Sequence, residues 1–490
     1  DRGNYPVVAF QDNMGDTHDF VPSVVALNGE ELLFGFDALE AHTDRGLPLT
    51  RSFKRFLASS HATISTTVQV GGRYVPLINV VSGFLAHVRD RLHEASSVSV
   101  PLSTDPLEEV AIAVPAHAHG AQRFLTLEAF RRAGFPVVSM VNEPSAAAFE
   151  YTHRQGGTLT TRRNRVLVYD LGGGTFDASL VNVDATAHEI IGTHGLNRLG
   201  GDDFDAVLAS LALRGAGIAL ERVEVDEYAR LLEEARAAKE ALTPQTRRIL
   251  LTVAERDVVV PVAGFYDAVA PLVDQTVAAM EPLVGGLDDA ALAESEIAGI
   301  YLVGGASSLP AIPRTLRERF GRRVHRSPLP AGSTAVGLAI SLDSSAGYSL
   351  ADRLSRGVGV FRELDDGASV SFDTILSPEE RLPSAGTTRI VRRYRAAHNL
   401  AWFRFVEYSH LDDDEQPRGD LTPLGDMLFP IDPALRDGRD LTEVAVERTA
   451  DGPELEESYE VDASGMVRVR VRDLTDGYEL VAGFGGDSRS

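Results

Sequence analysis

The chain has 490 residues, of which 44% are hydrophobic, and this length predicts about three domains because a single core does not grow that large. A formal net charge of −24 argues against a nucleic acid or an anionic membrane as a partner, since both attract clusters of basic residues. The sequence holds no cysteine and no apolar run of about eighteen residues, which excludes disulfides and thiolate chemistry and predicts no membrane-spanning helix. We expect a reducing, cytoplasmic compartment.

The N-terminal stretch alternates predicted strands with predicted helices. Tyr5–Phe10 and Val21–Leu27 are rich in apolar and β-branched residues and predict strands, and Leu49–Ser60 predicts a short helix that carries Lys54. Lys54 and Lys239 are the only lysines among 47 basic residues. Because this chain otherwise uses arginine for positive charge, we expect each lysine to stand where a compact ammonium is required.

The next block, Glu109–Tyr151, has the pattern strand, helix, strand, helix. A buried strand is predicted to end at Pro115, and a second one runs into Asn142, a good helix cap, followed by Glu143. Glu143 is therefore expected at the carboxyl end of a strand, where open α/β sheets bind ligands. A helix-terminus charge favoured by the macrodipole is the alternative interpretation of Glu143.

The stretch Arg165–Val183 carries the strongest signal. A short apolar run predicts a buried strand that ends at Asp170, and a second strand begins near Asp177. Glycines between them let backbone amides approach an anion, and flanking acids suit a divalent cation carried with a phosphate. The pattern predicts a β-hairpin, whereas a Walker loop would run into a helix. Taken alone, the glycine triplet is equally compatible with a plain turn.

Three segments after the hairpin carry a glycine pair or the second lysine. The pair Gly200–Gly201 opens an amphipathic helix, and the helical segment Asp226–Leu242 carries Lys239. Ile297–Gly321 predicts a buried strand, the pair Gly304–Gly305 and a helix. Taken alone, this pattern is also compatible with an ordinary strand–turn–helix unit that has no part in a binding site.

From about Gly357 the pattern changes to strands and turns. Valine and arginine alternate almost perfectly in Met466–Leu474, which predicts a strand with one buried and one wet face. The other predicted strands are SVSFDTIL, TTRIVRRYRA, LAWFRFVEYS and TEVAVER.

The octet DLGGGTFD resembles the phosphate loop of the actin-like ATPases and, in this wording, that of the seventy-kilodalton heat-shock chaperones. VPA…AQR, NEPSAAA, LVGGASS and YEVDASGMVRVRVRDL look like further motifs of that family. The resemblance implies an α/β actin-like two-lobe ATPase domain followed by an all-β sandwich substrate-binding domain. Its boundaries would be residues 1–343 for the nucleotide-binding domain (lobe one 1–164 and 328–343, lobe two 165–327), 344–356 for the linker and 357–490 for the sandwich.

The resemblance implies binding of ATP or ADP with Mg²⁺ and assigns residues to that site. The catalytic set would be Lys54, Glu143, Asp170, Thr175 and Asp177, of which Asp170 and Asp177 would hold the metal through water. The nucleotide-binding set would be Gly172, Gly173, Gly174, Gly200, Gly201, Lys239, Thr243, Gly304 and Gly305.

The resemblance also implies a chaperone that hydrolyses ATP to control binding and release of unfolded polypeptide segments. Pro115 and Arg123 would belong to the relay between the nucleotide site and the substrate domain, and Trp402 and Phe403 would lie near the peptide groove, although core packing explains these two aromatics equally well. J-domain and nucleotide-exchange co-chaperones would be its partners, with no nucleic acid and no membrane. His117 and His119 depart from the family pattern, and we interpret them as exposed loop residues.

Other departures concern the adenine pocket, the linker and the first motif. Ser308 stands where the family has an arginine that stacks on adenine, and Ala331 stands where it has an acid. In the linker, Tyr348 and Leu350 are a partial match to a leucine run. The family's first phosphate motif, a strand followed by an acid, a glycine and two threonines, is not found. We expect that about twenty upstream residues were trimmed, because a lobe without its central strand would expose unpaired backbone; a disabled ATPase is the alternative.

Two other functions are compatible with the motifs. A nucleotide-binding sensor or scaffold of the same fold would bind ATP with little or no turnover. A sugar kinase of the same fold would need a sugar pocket between the lobes, and the C-terminal β region argues against it.

Overall fold

The computed structural model describes residues 4–483 except residues 60, 197, 285–295, 355, 379 and 420. The ends of two predicted segments, Ser60 and Ser355, therefore lie outside the described residues, as do the last residues of the predicted sandwich. No helix in the described part of the chain is long and apolar enough to cross a membrane.

The N-terminal part, residues 4–155, combines small sheets with helices. Its strands are β1 (Phe10–Gln11), β2 (Thr17–His18), β3 (Val24–Asn28), β4 (Glu31–Phe34), β5 (Leu49–Arg51), β6 (Thr67–Val70), β7 (Arg73–Pro76), β8 (Val110–Val114) and β9 (Val137–Asn142). Its helices are α1 (Gly35–Arg45), α2 (Lys54–Leu57), α3 (Leu77–Glu94), α4 (Ser99–Thr104), α5 (Gly120–Arg132) and α6 (Glu143–Gln155).

The parallel pair β8–β9 places the first half of the candidate site. Both strands are largely apolar, and β8 lies beside β9 in parallel, with Val114 opposite Asn142. Their carboxyl ends therefore meet at one edge, where β8 continues into Pro115 and β9 continues directly into Glu143 at the start of α6.

Two predictions for the N-terminal part are wrong. Tyr5–Phe10 is not a strand: residues 4–9 are irregular, and Tyr5 instead donates its hydroxyl to Asp343 at 2.8 Å. Leu49–Ser60 is not one helix, because Leu49–Arg51 pairs with β3 and only Lys54–Leu57 is helical. In both cases a partner far away in the chain overrides the local preference.

The central part, residues 165–351, is built on one six-stranded sheet. The central part contains the strands β10 (Arg165–Leu171), β11 (Phe176–Asp184), β12 (Ala187–Leu196), β13 (Arg248–Val253), β14 (Arg256–Pro261), β15 (Ile297–Val303), β16 (Val324–Arg326) and β17 (Ser349–Ala351), of which β13 and β14 form a separate two-stranded sheet. Its helices are α7 (Gly201–Ala216), α8 (Val225–Glu240), α9 (Val262–Val284), α10 (Ala311–Phe320) and α11 (Ser333–Leu342).

The sheet order, β16-β15-β10-β11-β12-β17, positions the second half of the site. β10 and β11 form the predicted antiparallel hairpin, and β10 runs parallel to β15 with Asp170 opposite Val303. The acid at the end of β10 and the pair Gly304–Gly305 after β15 therefore emerge at the same edge. Within the segment predicted as a linker, Ser349–Ala351 adds to this sheet as its last strand.

The C-terminal part, residues 357–483, contains two four-stranded antiparallel sheets. Its strands are β18 (Gly357–Leu364), β19 (Ser369–Leu376), β20 (Thr387–Arg395), β21 (Leu400–Tyr408), β22 (His410–Leu411), β23 (Pro417–Arg418), β24 (Thr422–Pro430), β25 (Glu454–Asp462), β26 (Val467–Asp473) and β27 (Glu479–Gly483). The sheets have the orders β19-β18-β21-β24 and β20-β25-β26-β27, and buried residues of both join one hydrophobic cluster. TEVAVER forms no strand: its first residues belong to a 3₁₀ turn at Leu441–Glu443, and its last residue, Arg448, forms an isolated β-bridge with His398.

Candidate functional site

The triple-glycine hairpin is held in place by the start of α7. Asp170 on β10 lies directly opposite Asp177 on β11, and the Gly172 amide closes the turn onto the Thr175 carbonyl at 3.0 Å. The amides of Gly201 and Asp202 donate to the carbonyls of Gly172 and Gly173 at 2.9 and 2.8 Å. Among the described residues, the amides of Gly173 and Gly174 have no backbone acceptor, as an anion-binding loop requires.

Two glycines beside the hairpin allow close approach of the backbone. A Cβ at Gly200 would lie 2.6 Å from the backbone of Gly173, so only glycine lets α7 reach the hairpin. Gly304 has a φ of +82°, and a Cβ there would lie 2.4 Å from Oδ1 of Asp170. Glycine at positions 200 and 304 is thus required by the packing of the hairpin edge.

Lys54 and Glu143 meet in front of this hairpin. Lys54 Nζ lies 2.5 Å from Glu143 Oε1, and 58% of the lysine side chain is exposed, so the ammonium stands in an open cleft. Desolvation by the surrounding protein lowers the pKa of Lys54. The carboxylates of Glu143, Asp170 and Asp177 outweigh this desolvation, so the pKa of Lys54 is raised overall. The ammonium therefore stays protonated through the physiological range.

The three acids also act on one another. Burial, followed by the neighbouring charges of Glu143 and Asp177, raises the pKa of Asp170 well above its ordinary value, and Lys54 offsets only part of this. A positive charge placed among these carboxylates would relieve their repulsion.

A hydrated divalent cation fits this arrangement better than a fully ligated one. No cluster of three or more His, Asp or Glu side chains among the described residues is arranged to hold a metal ion directly. Magnesium commonly keeps several of its waters and contacts protein through only one or two carboxylates. The residues present therefore fit Mg²⁺ held through water.

Arg55, which the sequence reasoning did not single out, joins the N-terminal part to the hairpin. Its guanidinium donates to the Gly174 carbonyl at 3.2 Å and to the Asp203 carboxylate at 3.0 Å. Ser52 donates to Asp202 at 2.6 Å beside it. The position of Arg55 directly after Lys54 was the available signal, but its partners lie far away in the chain.

The two loop histidines are not exposed, contrary to the prediction. His117 Nδ1 lies 3.0 Å from Asp177 Oδ1, and its side chain is mostly covered. His119 is 3% exposed, and its Nδ1 lies 3.7 Å from Glu407 on β21. The turn between β8 and α5 is therefore enclosed between the hairpin and the C-terminal part.

On the other side of the hairpin, Lys239 is buried and ion-paired. Its Nζ lies 2.6 Å from Asp205 Oδ1 and donates to the Gly201 carbonyl at 2.8 Å, so it stabilises the start of α7. Next to it, Thr243 and Ser308 line a cavity of about 800 Å³. The same cavity contains Tyr266, whose ring lies 5.2 Å beneath the Arg314 guanidinium carbon.

Arg123, one of the two predicted relay residues, lies where the N-terminal part meets the C-terminal part and the segment that leads into it. Its guanidinium donates to the Ser464 carbonyl at 3.1 Å and to the side chain of Asn142, which in turn donates to Asp352 at 2.9 Å. Burial lowers the pKa of Arg123 and raises that of Asp352, and each offsets the other's shift. Pro115 lies in the loop between β8 and α5, and its carbonyl accepts from the Ala118 amide at 3.0 Å.

Trp402 and Phe403 point to opposite faces of β21. Trp402 is 57% exposed, donates to Asp426 at 2.8 Å and lies beneath the Arg404 guanidinium. Phe403 belongs to the buried hydrophobic cluster to which both sheets contribute. Only the tryptophan is placed where a ligand on this surface could contact it.

Comparison with known proteins relates the chain to a family. The family described as Hsp70 protein matches residues 17–349. The chaperone protein HscA homolog of Methylibium petroleiphilum is 35% identical over 346 residues, which cover 67% of this chain and 53% of that protein. The chaperone protein HscA of Klebsiella pneumoniae is 33% identical over 347 residues and that of Escherichia fergusonii 33% over 338 residues, each covering 67% of this chain and 53% of the relative.

The chain thus spans about half the length of the curated relatives it matches. The family match covers more than half of its residues and includes the hairpin, Lys54 and Glu143. This match implies an actin-like ATPase fold for the N-terminal and central parts. The chain belongs to the Hsp70 family.

Proposed function

We propose that this chain is an ATP-dependent chaperone, which hydrolyses ATP to control its binding and release of unfolded polypeptide segments. The relatives are named chaperones, which supports the proposal at the level of the family. The observation that carries it is the meeting of Lys54 and Glu143 with the opposed acids Asp170 and Asp177 at the triple-glycine hairpin.

Catalysis at this site would consist of positioning and charge stabilisation during phosphoryl transfer to water. The Gly173 and Gly174 amides would donate to phosphate oxygens, and the Thr175 hydroxyl would contact the γ-phosphate. Lys54, kept protonated by its acidic neighbours, would balance the developing negative charge and orient the attacking water.

Magnesium, when bound, would neutralise charge on the β- and γ-phosphates. Asp170 and Asp177 would hold its water shell, and Glu143 would orient that shell. The adenosine would lie between Gly304–Gly305 and the start of α7 at Gly200–Gly201. Lys239 would stabilise this region through its ion pair with Asp205, and Thr243 would line the pocket for the base.

The C-terminal part would be a β-sandwich that binds extended, apolar polypeptide. Its two sheets share one hydrophobic cluster, and Trp402 offers an exposed aromatic surface on β21. Pro115 and Arg123 would pass closure of the nucleotide site to this part through the contacts to Asn142 and Ser464. J-domain and nucleotide-exchange co-chaperones are the proposed partners.

A steady-state ATPase assay with Mg²⁺, with and without an unfolded client peptide, tests the proposal. We expect hydrolysis by the unsubstituted chain, and a loss of about 100-fold or more in kcat for Lys54→Ala and for Glu143→Gln. Glu128→Gln is the matched control, because within the described part of the chain Glu128 forms an ion pair with Arg132 on the same helix and none with a residue of the site. Absence of hydrolysis in the unsubstituted chain would refute the enzymatic proposal.

ATP affinity without turnover would instead support the second candidate, a nucleotide-binding sensor or scaffold of the same fold. The direct ion pair between Lys54 and Glu143 is the observation that favours this second candidate. The two groups contact each other, and turnover would require both to reorient toward nucleotide and water.

A further inference from the structure

His117 makes a close contact with an acid of the proposed metal site. Its Nδ1 lies 3.0 Å from Oδ1 of Asp177, whose side chain is 4% exposed. A Cβ at Gly195, on the neighbouring strand β12, would lie 2.7 Å from both of these atoms. The absence of a side chain at Gly195 therefore leaves the space in which the imidazole and the carboxylate meet.

His117 also lines a cavity to which the N-terminal, central and C-terminal parts all contribute residues. This cavity has a volume of about 720 Å³, and His194 and His410 also line it. Burial, and then the nearby imidazoles of His117 and His410, lower the pKa of His194. Of the three, only His117 has a hydrogen bond to Asp177.

We propose that His117 is a positioning residue for Asp177 in magnesium-dependent nucleotide binding, an inference that rests on the proposed function above. The Nδ1–H donates to Oδ1 and fixes the carboxylate's orientation. Asp177 Oδ2 has no hydrogen-bond partner among the described residues and remains available to a metal-bound water. Partners of this kind orient a carboxylate near a metal, and their removal typically weakens metal affinity about 10- to 100-fold.

The donor must come from the Nδ1 position, which makes the proposal specific. An asparagine at residue 117 would place its amide nitrogen close to where Nδ1 lies, whereas a glutamine would place it close to the more distant Nε2. His117→Asn should therefore retain the contact, and His117→Gln and His117→Ala should lose it.

The test is a calorimetric titration of the whole chain with Mg²⁺ at fixed ADP, and with ADP in the presence of a chelator. We expect His117→Ala and His117→Gln to weaken apparent Mg²⁺ affinity about 10- to 100-fold, with metal-free ADP affinity unchanged. His117→Asn should restore most of the loss. His194→Ala changes the same cavity, and no hydrogen bond joins His194 to Asp177 in the part of the chain that the structure describes, so this variant should behave like the unsubstituted chain. If the alanine variant fails to fold, the comparison of asparagine with glutamine decides.

Two results would overturn the inference in distinguishable ways. If the unsubstituted chain binds ADP in a magnesium-dependent manner and the glutamine variant does so equally well, His117 does not position Asp177. An equal loss in His194→Ala would point to the shape of the cavity and refute the hydrogen bond as the cause. If the unsubstituted chain shows no magnesium-dependent binding at all, the proposed function itself fails, and the role of His117 fails with it.

Discussion

Replacing Glu457, a carboxylate buried in the C-terminal part, should destabilise that part severely. Glu457 is fully buried, and both its oxygens accept from Arg362, at 2.9 and 2.8 Å. The hydroxyls of Tyr394 and Tyr459 also donate to it. Glu457→Gln keeps the shape but removes the charge, which leaves Arg362 with Asp373 as its remaining ion-pair partner.

Breaking a buried ion pair costs about 3–5 kcal/mol. Because Asp373 still contacts Arg362 at 2.6 Å, we expect the lower end, about 3 kcal/mol. Glu456→Gln is the matched control one residue away: Glu456 contacts Arg389 and Arg393 on the outer face, where ion pairs contribute about 1 kcal/mol or less.

Urea unfolding followed by tryptophan fluorescence measures this difference, since Trp402 on β21 is the only tryptophan in the chain. With an m-value of about 1.5 kcal/mol/M, the midpoint for Glu457→Gln should fall by about 2 M. The shift for Glu456→Gln should be well under 1 M by the same conversion. Equal shifts for the two variants would show that the buried network contributes no more than a surface pair, and would refute the reasoning.

Two further predictions concern the central part. Burial lowers the pKa of His188 to about 4, so its stabilising effect is complete above the unfolded pKa near 6.5 and is lost as the pH falls toward 4. Between these two pH values the free energy of unfolding of the unsubstituted chain should therefore fall by about 3 kcal/mol more than that of His188→Gln. His61→Gln, at an exposed histidine, should show the same pH dependence as the unsubstituted chain. Gly337→Ala should destabilise by about 1–3 kcal/mol in thermal unfolding, because its Cβ would lie 1.8 Å from the Ala146 carbonyl. Gly264→Ala has open space and should be neutral or stabilising, and a similar loss in both variants would contradict the steric argument.

Local patterns predicted the hairpin because its geometry depends on neighbours in sequence. Asp170 faces Asp177 through a turn of few residues, and a glycine triplet after an apolar run is sufficient to specify it. Glu143 was predictable for the same reason, since strand end and helix cap are adjacent in the chain. The family match supports the actin-like fold inferred from these motifs.

Features that depend on distant contacts were not predictable. Arg55 acquires its role from Asp203, which lies 148 positions later, and no periodicity reports such a pair. His117 and His119 occur in a segment rich in small residues that indicates an exposed turn, and only the packing of β11 and β21 against that turn buries them.

The scarcity of lysine has a chemical consequence. Lys239 is buried and paired with Asp205, whereas the Lys54 ammonium faces the open cleft, so an amine-selective acylating reagent should modify Lys54 first among the side chains. Its acidic neighbours hold the pKa of Lys54 high and keep this acylation slow, and neutralising Glu143 should accelerate it. The modification rate of one nitrogen atom would thus report directly on what occupies the cleft.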